Sequence, residues 1–424
     1  MTPSRRPRGR RRILITLLAG LTTGGQFSLG STLVAADASR GPEQLSIGDP
    51  ARRDRRVTPV LGAIVDTTRN ETIDATELAR RLAQTRVLFI GEEHTNGEFH
   101  RVQQQIIEAL HAAGRRVIIG LEMFPWTPQP ALERWSAGLL TEEAFLDESR
   151  WYEVWSHHWG LYRDIFNFAR QKRLRLVGIN APREIVRTVR SNSSFEGLAA
   201  EARAQLPAVI DRDNLEHRQL VNSYFDAEDP LHAKMSPEAQ EGVYLAQLTW
   251  DAAMGWQAGR ALSVPEDPRE IVVVLIGAGH VAYDLGAARH VPPTIAGRVA
   301  SLIPVTLDPA LGIGSKQVSA AYANYIWGVP RTPQPTLPVF GVSLMGRLGK
   351  EPTQVIQLEA RSPAATAGVQ LGDILRRLDG VPITNAAVLQ RRVGTYQWGD
   401  SAMLELERAG ESVRLRVDFR RSPP

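Results

Sequence analysis

The 424-residue chain contains no cysteine. Disulfides, thiolate zinc sites, Fe–S clusters, a cysteine nucleophile and a lipid-modified N-terminal cysteine are therefore excluded. Nucleotide-binding signatures are missing as well. There is no Walker pattern, and Gly277-Ala-Gly-His lacks the third glycine of a dinucleotide fingerprint. The acid expected roughly 20 residues further on is absent too; Arg298 and Val299 stand there. No GxSxG turn and no internal repeat occurs. With 43% hydrophobic and 23% charged residues, neither wholesale disorder nor a multi-span membrane protein fits. The length leaves room for two or three domains.

Positive charge is concentrated at the start. Arg5, Arg6, Arg8, Arg10, Arg11 and Arg12 precede the apolar stretch Ile13 to Leu21, then a Gly/Thr/Ser-rich run ending Val34-Ala35-Ala36. This order of basic, apolar and small residues predicts a secretory signal peptide over 1–36, cleaved after Ala36. A retained anchor is the alternative. The overall formal charge is +4, and residues 1–36 carry +6 with no acid. Residues 61–328 have 26 basic and 33 acidic side chains, and 339–424 have 12 and 9. Once the leader is set aside, a nucleic-acid partner loses its support. Export to the periplasm or envelope is expected, not as a lipoprotein.

Residues 37–60 read as a mobile polar lead-in. A periodic region follows over 61–328, then a proline-rich linker over 329–338, then a small unit over 339–424. Four short apolar runs predict buried strands at Val87–Ile90, Val117–Leu121, Leu174–Ile179 and Ile271–Ile276. Helical patterns lie between them at Glu98–Ala113, Leu161–Lys172 and Pro237–Leu262. The alternation predicts an α/β domain with a mostly parallel sheet flanked by helices.

Each predicted strand runs into polar residues: Gly91-Glu92-Glu93-His94, Glu122-Met123, Asn180-Ala181-Pro182-Arg183 and Gly277-Ala278-Gly279-His280. Ligands bind beyond the carboxyl ends of parallel strands, so these groups are expected at one edge. His94, His280 and Glu122 would suit a divalent metal (Mn, Co or Zn), with Glu92 as general base to a bound water, and the same groups would equally suit a carboxylate–histidine acid/base pair. Helix capping by the histidines and a Glu122–Arg183 pair is the structural alternative. Asp251 lies in a long helical run, where it could reach this edge or simply pair. His100 and His111 are expected on a solvated helix face.

A second constellation is aromatic. Trp151, Trp155 and Trp159 recur at intervals of four, Tyr162 and Phe166 continue the stripe, and His157 and His158 sit inside it. Such a stripe is either core packing or the wall of a slot for a flat ligand. Tyr162, His158 and His157 could then serve as iron ligands beside Trp159 and Trp155.

Taken in order, GEEH, GLEMF, the W…W…HHWGLY stretch, VGINAPRE, TWDAAMG and IGAGH resemble the ChaN-like haem-binding proteins of the Tiki/EreA superfamily, over roughly residues 85–300. The resemblance implies haem as cofactor and a role in haem or iron acquisition. Some branches of the superfamily imply instead a metal-dependent peptidase or esterase, in which Glu92 and Glu122 act beside the two GxxH histidines. The C-terminal unit, with VFGVSL (339–344) and RSPAATAGVQLGDILRRLDGVPI (361–383), resembles a bacterial PDZ domain. That implies a small β-rich fold binding a peptide or protein C-terminus. Backbone amides near Phe340, Gly341 and Val342 would take the carboxylate. A homodimer is among the assemblies this reading allows.

Overall fold

A computed structural model of the protein describes residues 41–127, 129–224, 235–263, 266–308, 310, 316–332, 336–346 and 351–421. The expected signal segment over 1–36 lies outside the described residues. Among these residues no helix is long and apolar enough to cross a membrane.

The larger part of the chain is built on β1 (Arg56–Val57), β2 (Ile64–Asp66), β3 (Glu71–Ile73), β4 (Val87–Glu92) and β5 (Arg116–Pro125). It continues with β6 (Arg175–Asn180), β7 (Glu270–Gly277), β8 (Val299–Leu307), β9 (Val318–Ser319) and β10 (Tyr325–Pro330). Eight of these form one sheet in the order β3-β2-β10-β8-β4-β7-β5-β6. Neighbours from β10 to β6 are parallel, and β2 with β3 adds an antiparallel hairpin at one edge. The four predicted strands are β4 to β7, and they lie side by side.

The two faces of the sheet are written in alternate residues. Leu88 and Ile90 of β4 join Ile271, Val273 and Leu275 of β7 in one apolar cluster. Val87 and Phe89 join Val272, Val274 and Ile276 in the other. A strand buried on both faces has no polar alternation, which is why these runs read as continuous apolar stretches. Each buried aliphatic chain contributes about 1.5–3 kcal/mol. The helix Gly97–Ala112 starts where the Asn96 side chain accepts the Glu98 N–H, and it lays Phe99, Val102, Ile106 and Leu110 on the first face. The helix Pro237–Arg260 is capped by Ser236 and covers the second face with Met254 and Ala258.

Two expected boundaries change. Residues 41–60 are no mobile lead-in: Leu45, Ile47 and Val57 are buried, and β1 pairs with β9. The reason is that arginine can be buried when its donors are met. Arg52 pairs with Asp49 at 2.6 Å, and its guanidinium also donates to Thr67 at 3.0 Å. The linker is shorter than expected because Val329 and Pro330 still pair with Thr306 and Leu307 of β8.

The C-terminal unit has an antiparallel pair, β11 (Val342–Leu344) with β12 (Val355–Leu358). A four-stranded sheet of β13 (Ile374–Leu378), β14 (Val381–Pro382), β15 (Ser401–Arg408) and β16 (Glu411–Asp418) runs in the order β14-β13-β15-β16. The helix Ala386–Val393 packs Leu389 and Val393 onto the core shared by Phe340, Leu375, Leu404 and Phe419.

Candidate functional site

Because β4, β7, β5 and β6 are neighbours, the polar ends of all four strands reach one edge of the sheet. Two buried carboxylates organise it, each from a different strand and each claimed by histidine.

Glu92, the last residue of β4, has a fully buried side chain. One oxygen accepts from His94 Nδ1 at 2.8 Å and the Tyr162 hydroxyl at 2.6 Å. The other accepts from Gln103 Nε2 at 2.6 Å. His100 places Nδ1 at 3.1 Å from the Gln103 carbonyl oxygen and 3.5 Å from Glu92, and Nε2 at 3.1 Å from the His94 carbonyl. Both ring nitrogens of His100 thus face oxygen atoms, and the ring lies against the carboxylate. Burial pushes the Glu92 pKa up, but the His100 charge and the bonds from His94 and Tyr162 outweigh it and hold it at about 2.

Glu122 on β5 accepts the Gly277 N–H at 2.6 Å and approaches His280 Nε2 at 3.5 Å. His280 Nδ1 lies 2.6 Å from Asp251, whose second oxygen is 3.0 Å from His217 Nε2. The His217 Nδ1 in turn lies 3.2 Å from the Tyr244 hydroxyl. Burial opposes charge on His280, yet the Asp251 and Glu122 carboxylates raise its pKa. His94 is raised in the same way, with burial opposed by the Glu92 bond and the Glu122 charge.

The two GxxH histidines converge at Gly277. A Cβ there would stand 3.2 Å from His94 Cε1 and 3.5 Å from His280 Cδ2, so the missing side chain leaves the gap between the rings open. His94 remains about a third exposed. Its ring packs 4.8 Å from Trp155 and 5.0 Å from His157, centroid to centroid. Burial, then the His94 charge, lowers the His157 pKa to about 3, and burial with the Arg163 charge lowers His158 to about 4.

Other sequence-predicted residues have different surroundings. Trp151, Trp159 and Tyr162 are buried in the aromatic core with Phe145 and Phe166. The Tyr162 hydroxyl is committed to Glu92, and burial plus that negative charge push its pKa well up. His158 uses Nδ1 to accept the Gly160 N–H at 3.0 Å, while its Nε2 is buried without a partner among the described residues. His100 is buried, contrary to the solvated face expected for it, because it faces the Glu92 carboxylate. Arg183 donates to the Val154 carbonyl at 2.6 Å.

Among the described residues no group of three or more His, Asp or Glu is placed to hold a metal ion. The expected set of His94, His280 and Glu122 does not form one. Glu122 turns onto the Gly277 backbone amide, and the His280 Nε2 faces Glu122 itself at 3.5 Å.

Sequence reasoning passed over Gln103, His217, Gln247 and Tyr244, which complete these networks from helices. Their polar character on otherwise buried helix faces was the available signal. Gln247 Nε2 lies 2.8 Å from His280 Nδ1.

A family model described as haem-binding uptake, Tiki superfamily, ChaN, matches residues 78–291. The chain belongs to the ChaN family. A PDZ-domain model matches residues 309–419, a span that begins before the unit expected over 339–424. Among solved structures, the chain is similar to ChaN of Campylobacter jejuni, described with cofacial haem binding. That structure is 18% identical and has a TM-score of 0.47, covering 62% of this chain and 95% of its own. Among curated proteins, the periplasmic serine endoprotease DegP of Escherichia coli K12 is 37% identical over 68 residues, 16% of this chain. DegP of Salmonella typhimurium is 35% identical over 68 residues. The chain spans only 14% of the length of these DegP relatives.

The sheet edge suits the cofactor that the ChaN family implies. A haem site needs an iron ligand held in one orientation and flat apolar surface beside it. His94 has Nδ1 fixed by a buried carboxylate, keeps part of its ring exposed, and stands against Trp155. A histidine whose other nitrogen is held by a carboxylate is the usual form of a metal-bound histidine.

Proposed function

We propose that this protein is an exported haem-binding protein acting in haem or iron handling. Its PDZ domain would recruit a peptide or protein partner through a chain end. The observation that carries the haem reading is His94, pinned at Nδ1 by Glu92 and partly exposed beside Trp155. In this reading His94 would hold the iron, and Trp155 and His157 would supply the flat surface beside it. When bound, haem supplies a redox-active iron with an affinity for small ligands. The chain's part is to orient the ligand: Glu92 keeps the Nδ1 proton, and Gln103, His100 and Tyr162 keep Glu92 in place. Tyr162 is the weaker ligand candidate, since freeing its oxygen would strip Glu92 of a hydrogen bond.

The partner reading is supported by the PDZ match and by Gly341. Its φ of +82° and a would-be Cβ 2.1 Å from the Ser362 Cβ admit only glycine where Phe340 enters β11. Titration of the purified protein with haemin tests the haem reading. A shifted Soret band at one haem per site is expected, altered in position by His94→Ala. A flat titration of the intact protein would remove the proposal. The same band in His94→Ala would move the ligand elsewhere.

A further inference from the structure

The PDZ helix Ala386–Val393 has three distinguishable sides. Leu389 and Val393 face the domain's own core. Arg392 turns to Asp379 of the β13–β14 turn, at 3.5 Å, with its guanidinium 5.3 Å from the centre of the Tyr396 ring. At 100° per residue, Ala387, Gln390, Arg391 and Gly394 share the side away from that turn. This side is partly covered by the α/β domain. Ala387 packs on the core of the α/β domain, Arg391 pairs with Asp147, and Tyr152 places its hydroxyl where a Cβ on Gly394 would be 2.5 Å away. The Gln390 side-chain amide oxygen is buried there with no hydrogen-bond partner among the described residues.

The segment entering β11 is engaged as well. Thr336 packs on Gly97, three residues after His94, and Leu337 packs on Gly160, two after His158. Trp398 Nε1 donates to the Thr336 carbonyl at 3.1 Å. β11 pairs only with β12 among the described residues, so its other edge is where a chain end would add as a strand.

We propose that the α/β domain closes the peptide groove of the PDZ domain. The short helix Trp151–Val154, through Tyr152, and the neighbouring Asp147 hold the flank that a chain end would need. Capture of a chain end then releases the segment leading to Trp155, His157 and His158. The two sites would be linked reciprocally: a partner loosens the haem-side segment, and an ordered haem site favours the closed groove. This inference rests on the PDZ domain binding chain ends.

The test uses the intact protein and labelled decapeptides ending in Val, Leu, Ile or Phe with a free carboxylate, read by fluorescence anisotropy, with amidated versions as controls. Asp147→Lys should bind the free-carboxylate peptides at least tenfold more tightly than the wild type. Exchanging the charges, Asp147→Arg with Arg391→Asp, should return binding to the wild-type level. Asp147→Lys combined with Tyr152→Ala supplies a stronger opening, followed by hydrogen exchange over residues 386–394. Equal peptide affinity in the wild type and both opened variants would overturn the closure while leaving the PDZ reading intact. No peptide binding despite faster exchange at 386–394 would overturn the PDZ reading, and the closure with it. Unchanged exchange in the double variant would show that the α/β domain does not hold this helix, which also overturns the closure.

Discussion

Replacing Glu92 with glutamine removes a charge from a site where the sources of stabilisation can be counted. The carboxylate accepts from His94, Tyr162 and Gln103, and faces the His100 ring. A glutamine must place an NH2 either at the oxygen that serves His94 and Tyr162 or at the one that serves Gln103, so at least one donor is opposed, and His94 loses the carboxylate that favours its charge. Removing one member of a buried charge pair costs about 3–5 kcal/mol. The proton linkage gives a similar size. A carboxyl group moved from 4.5 to about 2 by the fold contributes about 3 kcal/mol near neutrality. That contribution is full above pH 4.5 and is lost as the pH falls towards 2. Urea unfolding at pH 7, followed by tryptophan fluorescence and far-UV circular dichroism, should show Glu92→Gln less stable by about 3 kcal/mol. The gap to the wild type should narrow below pH 4.5. A loss smaller than about 1 kcal/mol at pH 7 would refute the role given to this carboxylate.

Gly277→Val should fill the gap between His94 and His280 and weaken haemin binding at least tenfold, with the circular dichroism spectrum retained; unchanged affinity would place the site elsewhere. Burial holds His158 and His290 at about 4, assisted by the charges of Arg163 and Arg289 respectively. Both stay neutral in the fold while the unfolded chain takes up protons below pH 6.5. Their stabilisation is therefore complete above 6.5 and declines towards pH 4, by about 1.4 kcal/mol per group per pH unit. His94 and His280, raised in the fold, are protonated in both states below 6.5 and add no slope there. Unfolding measured at pH 6.5, 5.5 and 4.5 should show this decline, cut by about a third in His290→Asn because His157, held at about 3, contributes alongside; a flat profile would contradict it.

The strands that carry the site were legible because a strand buried on both faces leaves an uninterrupted apolar run, as in Ile271–Ile276. The flanking strands were harder to read. β8 contains Pro304, and β2 and β3 are three residues each, too short for a period to show. Glu92, His94, Glu122 and His280 were marked by their position at strand ends, a local property. Their partners were not, because the Gln103–Glu92 and His217–Asp251 contacts arise from how helices dock on the sheet and on one another. His100 lies on a helix with mixed polar residues, and only the buried charge of Glu92 makes its burial favourable. The arginines of residues 52–56 suggested solvent for the opposite reason: beside the local Asp49, the carbonyls that complete the burial of Arg52 come from Ala320 and Ala323, more than 260 residues away.

The place of β10 in the sheet bears on the order in which the molecule can assemble. It is the last strand of the α/β domain in sequence, yet it sits between β8 and the early hairpin of β2 and β3. The hairpin has no sheet to join until residues 325–330 are available, so the first and last strands of the domain must close together. Such long-range closure is slow and leaves strand edges unpaired meanwhile. The PDZ unit, whose sheet pairs strands close in sequence, can form without waiting. A chain ended at residue 291, where the family match stops, would lack β8 and β10 and strand that hairpin, so the folding unit is longer than the span of the family match.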